Sequence, residues 1–366
     1  MTIKVHSTLH WFDSQVLRVH QAAPCLADQL TVIVPAYNEA NHIADTIRSL
    51  QTQTTPPAEI LVVDDCSTDG TGDVAMAHGV RVLRPPKNTG SKAGAQNFAL
   101  SYVTTEFTMA IDADTVLAPN AIEKLLPALK EPDVAAACGF VVPRYVRSLW
   151  ERGRYIEYLF AFTFYKQVQD YYEKPLISSG CFSAYRTDAL RRDGGWSTRT
   201  MAEDMDLTWR FYQKGHKVRF VPDSICEPIE PHNFTFMKKQ LRRWSHGFVQ
   251  NARLHWKGML GVPYLRSMVG VALWDAVIAS VAFLLLIPVL AVILGNPLLL
   301  LAYVIDVPAV LVPVALAGIS RKEMRRVLAS LPAFYVLRIV NSFFFLEALW
   351  TELVLRRPLT KYEKGH

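Results

Sequence analysis

Apolar and polar positions change their rhythm along the chain. From Leu30 onward, short apolar runs rich in β-branched residues alternate with stretches of helical period. The runs at Leu30–Glu39 (LTVIVPAYNE), Ala58–Asp65, Val80–Arg84, Glu106–Ile111 and Val134–Val142 predict strands. Helices are predicted from the turn after Pro35 to about Gln53, after the Ser67-Thr68-Asp69-Gly70 cap, over Ser91–Val103, and from Pro119. Strands alternating with such helices predict an α/β fold, a Rossmann-like, mostly parallel sheet with helices on both faces. Ile177–Arg186 is strand-like again, and Met201–Lys214 reads as a helix that opens on acidic residues.

Further on the apolar positions widen into stripes and then into whole spans. Leu149–Tyr172 carries Leu149, Ile156, Leu159, Phe160, Phe164, Val168 and Tyr171 at helical spacing, which fits a packed surface helix or one lying on a membrane. In Phe234–Phe248 the apolar stripe is Phe234, Met237, Leu241, Trp244 and Phe248, with Lys238, Lys239, Arg242 and Arg243 off it, the signature of an interfacial helix. Ala276–Gly295 and Leu298–Ile319 are each long enough to cross a bilayer. They are separated by Gly295-Asn296-Pro297, and Asp306, Pro308 and Pro313 lie inside the second. Leu328–Leu355 is interrupted by Arg338, Asn341 and Glu347, costly in lipid, so it reads as an interfacial or re-entrant helix. Arg321, Lys322, Arg325 and Arg326 follow the second span, and Arg356, Arg357 and Lys361 form a basic tail. The positive-inside rule then puts these and the α/β domain in the cytoplasm, with the Asn296 turn outside.

The domain plan expected is a lead-in over 1–29, an α/β domain over 30–232, amphipathic interface helices over 233–265 and a membrane region over 266–366. The spans in that region fall at about 270–295 and 297–319, with the interfacial or re-entrant helix at 328–355. The lead-in holds His6, His10 and His20 without ligand spacing and lacks a signal-peptide pattern. The chain is expected in the plasma or inner membrane as a multi-pass protein.

Composition sharpens this picture. Hydrophobic residues make up 51% of the 366, with the excess at the C-terminal end. The net charge is +6, and much of the basic charge lies in Lys238–Arg243, next to apolar segments. That favours a membrane partner over nucleic acid, for which no recognition motif or basic-aromatic platform occurs. The five cysteines are scattered and form no C-x-x-C, against a disulfide framework or zinc site and in keeping with a reducing compartment. No G-x-G-x-x-G or Walker loop follows the first strand, which disfavours a dinucleotide dehydrogenase or P-loop enzyme.

The candidate chemistry sits at strand ends. Asp64 and Asp65 close the second strand, and Asp112 and Asp114 close the fourth. Ligands of open α/β sheets bind outside the carboxyl ends of strands. Two carboxylates one residue apart can hold a divalent cation, which in turn can hold a diphosphate. A D-x-D alone is more often the mark of a solvated turn, and Glu203 and Asp204 alone read simply as helix capping through the dipole.

The ordered set of motifs carries more. VIVPAYNE (32–39), VVDDCSTDGT (62–71), NTGSKAGAQNFAL (88–100), IDAD (111–114), SGCFSAYR (179–186), AED (202–204) and QLRRW (240–244) stand in the order found in inverting family 2 glycosyltransferases. The chain resembles their membrane-embedded processive branch, the hyaluronan, chitin and cellulose synthases, from about Leu30 to Trp256. That resemblance implies a GT-A fold and a nucleoside diphosphate sugar donor, expected to be UDP-linked. Tyr37, Glu39 and Asp65 would contact the nucleoside. Lys92 would neutralise the diphosphate or hold base-side contacts. Asp114 would hold Mg²⁺ or Mn²⁺, with Asp112 assisting it or contacting the ribose. Asp204, beside Glu203, would be the general base. Within the Q-x-x-R-W signature that opens on Gln240, Arg243 would pair with the diphosphate and Trp244 would stack the terminal sugar of the acceptor. One displacement would convert an α-linked donor into a β-linked product. The expected partners are the donor, a glycan or lipid-linked acceptor and membrane lipids, with oligomerisation left open.

Two departures stand out. Ala202 replaces the threonine before Glu-Asp, and no W-G-T-R or F-x-V-T-x-K segment occurs, Pro358–Lys361 being at best a short substitute. Two readings of the reaction follow, repeated extension of a glycan or addition of a single sugar to a lipid-linked acceptor. A non-catalytic scaffold or nucleotide sensor is disfavoured because Asp65, Asp112, Asp114 and Asp204 are all present.

Overall fold

The computed structural model of the chain describes residues 25–360. Most of the lead-in, with His6, His10 and His20, and Lys361 of the basic tail lie outside the described residues. The centre of the fold is an eight-stranded sheet in the order β3-β2-β1-β4-β7-β6-β8-β5. The strands are β1 (Leu30–Ala36), β2 (Glu59–Asp64), β3 (Arg81–Leu83), β4 (Phe107–Ile111), β5 (Thr115–Leu117), β6 (Val134–Val141), β7 (Phe182–Arg186) and β8 (Lys217–Pro228).

The first half is parallel, β1 lying between β2 and β4 with Val32 opposite Ile60 and Met109. The second half is mixed. β7 runs antiparallel to both β4 and β6, β6 is parallel to β8, and β5 returns antiparallel to β8. β6 is buried along its whole length, as its unbroken apolar sequence requires. The pattern along the chain missed β8. Its sequence, KVRFVPDSICEP, contains two prolines and several polar residues, and its register shifts near Gly139 and Phe140 of β6. Pairing on both sides, rather than propensity, makes it a strand.

The order in which strands are added reverses at β1, although β2, β1 and β4 all run parallel. From β1 the chain winds outward through β2 and β3, then returns to place β4 on the other side of β1. The crevice at the carboxyl ends of β1 and β4 is therefore the switch point where ligands of such sheets bind.

The helix after Ser148 is not uniform. Leu149–Phe160 is α-helical, Ala161–Tyr165 forms a π-helical turn, and Lys166–Tyr171 resumes the α-helix. The π turn adds a residue to the local repeat. Lys166, which a regular amphipathic helix would leave in solvent, is buried and donates to Ser179 Oγ at 2.6 Å.

The interfacial stripe runs in one long helix, Phe234–Leu260, capped by Asn233, whose side chain accepts the Phe236 N–H. Met237 and Leu241 of that stripe are buried against Leu337 and Phe344 of the last long helix, Met324–Leu349. That part of the stripe is thus covered by protein instead of lipid.

Three helical segments are long and apolar enough to cross a membrane: Pro263–Ile293, Pro297–Ser320 and Met324–Val354. The second breaks at Asp306, where a 3₁₀ stretch, Pro297–Val304, gives way to the α-helix Val307–Ser320. The third covers the segment read from the sequence as interfacial or re-entrant. Its length and composition alone would permit a crossing. Its interrupting charges are met by protein: Arg338 pairs with Asp306, Glu347 with Arg242 at 2.9 Å, and Glu352 with His246 at 2.7 Å. Both of its ends touch the same body. At the start Glu323 accepts from Tyr155 at 2.8 Å, and beyond the end Gln250 donates to the Leu359 carbonyl at 3.0 Å. Between them, Gly153 of the helix Leu149–Phe160 lies so close that a Cβ there would stand 2.9 Å from the Ala333 carbonyl.

Candidate active site

The turns after β1 and β2 are locked to each other. Asn38 and Cys66 both adopt positive φ, 55° and 63°, which is costly for residues with a Cβ. Asn38 donates its N–H to Ser67 Oγ at 3.0 Å and accepts the Thr68 N–H at 2.9 Å. Glu39 is buried there and engages His42 Nδ1 at 3.0 Å, while Tyr37 is exposed.

Asp65 is buried and accepts from the Thr89 N–H and hydroxyl, both at 2.8 Å. The Thr89 hydroxyl also lies 3.1 Å from the Ser91 carbonyl, and the Ser91 side chain caps the helix Lys92–Leu100 through the Gly94 N–H. In this way the end of β2 sets the position of Lys92.

Lys92 is the hub. Its ammonium pairs with Asp112, donates to the Gly180 carbonyl at 2.9 Å and stands 3.8 Å from Glu203. It thereby joins the end of β4, the segment before β7 and the acidic helix Glu203–Gln213.

Asp204 accepts the Gly180 N–H on Oδ2 at 2.7 Å and the Met205 N–H on Oδ1 at 2.8 Å. A Cβ at 180 would lie 2.8 Å from Asp204 Oδ2, so any larger residue there would displace that carboxylate. Burial pushes the Glu203 carboxyl above its ordinary value. Lys92 opposes that shift, the charge on Asp204 adds to it, and Arg243 opposes it again, which brings Arg243 within electrostatic reach of the site.

Asp112 and Asp114 flank the buried Ala113. The Asp112 N–H donates to the Cys181 carbonyl at 3.2 Å, and Asp114 accepts from the Thr115 hydroxyl at 3.3 Å. Among the described residues, no group of three or more His, Cys, Asp or Glu side chains could hold a metal by itself. A hard divalent cation such as Mg²⁺ or Mn²⁺ commonly takes one or two carboxylates together with substrate phosphates and water. Asp112 and Asp114 fit that donor set. His232 is exposed and bonds Asn233 at 2.9 Å.

The long helix packs behind the segment that carries Glu203 and Asp204. A Cβ at Gly247 would stand 2.7 Å from the Ala202 Cβ, so the helix meets the residue before Glu-Asp at backbone distance. Asn251 donates to the Ala202 carbonyl at 3.1 Å, and Gln250 accepts the Met201 N–H at 2.9 Å. This close packing accounts for alanine at 202. Asp206, wholly buried, collects Arg199 at 2.6 Å, Arg210 at 2.9 Å and His255 at 2.7 Å.

Gln240 lies apart from this centre in the contacts it makes. Its carbonyl oxygen accepts from Arg154 at 2.6 Å, and its amide nitrogen donates to Glu230 at 3.2 Å. Trp244, half-buried, lies under the Arg154 guanidinium, 4.5 Å from the ring centroid. Sequence reasoning missed Gly180, Asp206, Arg154 and Glu230. Gly180 and Asp206 stood inside or beside motifs already noticed, whereas nothing in the local sequence marks Arg154 as buried.

Residues 31–194 match the profile described as Glycosyl transferase family 2. Over that range the chain is similar to a family 2 glycosyltransferase domain. The matched range holds Tyr37, Glu39, Asp65, Lys92, Asp112 and Asp114, while Glu203, Asp204 and Gln240–Trp244 lie beyond it. Among curated proteins the chain is similar to poly-beta-1,6-N-acetyl-D-glucosamine synthase of Staphylococcus epidermidis, 26% identical over 223 residues, 60% of this chain and 54% of that protein. The synthase of Staphylococcus aureus strain MSSA476 is 24% identical over 222 residues, with the same two shares, 60% and 54%. The chain thus spans about half the length of the curated relatives it matches. Among solved structures, the mannosyltransferase PcManGT of Pyrobaculum calidifontis, in complex with GDP-Man and Mn²⁺, superposes with a TM-score of 0.59 at 20% identity. The match covers 90% of this chain and 88% of that one. The two share the GT-A fold.

Proposed function

We propose that the chain transfers a sugar from a UDP-sugar to a glycan acceptor with inversion, forming a β-linkage, and that it does so repeatedly at the membrane. The observation that carries this reading is the Lys92 hub, which ties Asp112 of the D-x-D to Glu203 and to the Gly180 segment that holds Asp204. The family 2 match and the similarity to two poly-N-acetylglucosamine synthases support it further, and make UDP-GlcNAc the first donor to try.

In this reading Asp204 takes the proton from the acceptor hydroxyl. The hydroxyl oxygen bonds to the anomeric carbon from the face opposite the diphosphate. The bond from that carbon to the diphosphate oxygen breaks, and UDP leaves. Arg243, a planar donor fork close to Glu203, pairs with the diphosphate. Tyr37, Glu39 and the Asp65–Thr89 anchor shape the nucleoside side. A Mg²⁺ or Mn²⁺ ion held by Asp114 and Asp112 would offset the charge gathering on the leaving diphosphate. Trp244 offers its ring to the terminal sugar of the acceptor.

The α/β domain and both ends of the last helix are assigned to the cytoplasmic side. The contacts of Glu323 and Leu359 with that body support this placement, as do the basic residues at 321–326.

The test is to incubate the purified full chain in nanodiscs with Mn²⁺ and a panel of UDP-sugars. Released UDP is measured and the products are resolved by size. UDP release with one donor and a growing ladder is the expected result. Release without a ladder would replace extension by single transfer or hydrolysis. Release with none of the donors would overturn the reading.

A further inference from the structure

Arg154 is a fully buried cation that the reaction as described does not use. A guanidinium deprived of water is tolerated only when its charge is met by partners. It pairs with Glu157, its Nε stands 3.5 Å from Glu230 Oε2, and its Nη2 reaches Gln240 Oε1 at 2.6 Å and Met237 Sδ at 3.3 Å. Glu230, itself 3% exposed, accepts the Tyr158 hydroxyl at 2.7 Å and the Gln240 amide N–H at 3.2 Å. Burial pushes the Glu230 carboxyl up, and Arg154 opposes that shift.

Two consequences follow for the residues beside the acceptor. The Gln240 side chain has its oxygen committed to Arg154 and its nitrogen to Glu230, so its orientation is fixed from both ends. The Arg154 guanidinium also covers one face of the Trp244 indole, 4.5 Å from its centroid, and makes a cation–π contact that holds the ring. Three separate elements meet here, the helix Leu149–Phe160, the Glu230 segment and the long helix Phe234–Leu260.

We infer that Arg154 is a positioning residue for the acceptor. It fixes the Trp244 ring with one face occupied and the remaining ring surface available to the terminal sugar of a β-linked glycan. Glu230 acts with it by holding Gln240. Arg154 touches neither donor nor reacting atoms, so it sets how well the acceptor engages and leaves donor binding alone. This rests on the transfer reaction proposed above.

The experiment uses the full chain in nanodiscs with UDP-GlcNAc and a short β-linked N-acetylglucosamine oligosaccharide as primer. Arg154→Lys keeps the charge but removes the planar fork that reaches Gln240 and covers Trp244. Its primer KM is expected to rise about tenfold, the equivalent of about 1.4 kcal/mol, while the donor KM stays within about threefold. Combined with Trp244→Ala, it should add little to the loss that Trp244→Ala causes alone, because both remove the same platform. Equal shifts in both KM values, a primer KM unchanged from the parent, or additive losses in the double variant would each overturn the inference. If Arg154→Lys does not purify as a folded protein, Glu230→Gln carries the same test through Gln240, with the same expected split. A parent chain that extends no primer and releases no UDP would bring down the transfer reading, and this inference with it. A parent that extends the primer beside a variant with the parent's primer KM would bring down this inference alone.

Discussion

At the scale of single residues, the site depends on a few atoms held at short range. Asp204 sits between the Gly180 N–H and the start of its own helix, a geometry that keeps one carboxylate oriented while Lys92 holds the carbonyl on the other side of Gly180. Asp204→Asn preserves the size of the side chain and removes the proposed base. Positioned bases contribute about 10²- to 10⁴-fold, so transfer should fall by at least about 100-fold while donor binding, followed by titration with UDP-sugar, stays near that of the parent. A variant that transfers at the parent's rate would reassign the base, with Glu203 the next candidate. Asp65 also has a structural part within the protein. Both of its oxygens engage Thr89, so its first effect is to shape the loop that carries Lys92.

At the scale of elements, the acidic helix is positioned by the long helix behind it, and Asp206 is the pin between them. Burial alone would raise the Asp206 carboxyl. The hydrogen bonds from His255 and Arg199 and the charges of Arg210 and Arg199 instead bring it below its ordinary value of 3.8. A carboxylate with a lowered folded pKa contributes stability that is present above its ordinary value and lost as pH falls through the folded one. Asp206→Asn should therefore lower stability at pH 7, by about 3 kcal/mol if the loss is typical of a broken buried ion pair. The gap to the parent should close as pH falls well below 3.8. Thermal melts of parent and variant across that range would check it, and a gap that stays constant with pH would mean that the pairing contributes nothing. Packing of the same kind makes Gly247 and Ala202 small, because helix and acidic segment meet there at backbone distance.

At the scale of the whole molecule, the last helix shows how length and contact can point in different directions. Met324–Val354 is long and apolar enough to cross a bilayer, but contacts at its start and beyond its end reach the same body, through Tyr155 and Gln250. With both ends on the cytoplasmic side, as proposed above, the helix lies along the interface. A reporter fused after His366 should therefore report the cytoplasm. An extracytoplasmic signal would mean that the helix crosses and that the contacts of Glu352 and Leu359 are not kept in the membrane.

The sequence by itself determined the order of elements in the first half of the sheet, the two carboxylates closing β4, and the existence of the acidic and amphipathic helices. These are local matters, since β-branched runs, caps and periodic stripes act within a few residues of themselves. The mixed second half of the sheet was decided elsewhere. β8 is a strand because β6 and β5 pair with it, although its prolines and polar residues argue against one. The same holds for the site. The motifs announced Lys92, Asp112, Glu203 and Asp204 as candidates, but only the fold placed the first among the other three, over separations of 20 to 112 residues along the chain. Only the fold buried Arg154 against Gln240 and Trp244, and only it gave the charges of the last helix partners in protein. Contacts between residues far apart in sequence leave no periodic trace in it, and the burial of a charge can be read only once its partners have arrived.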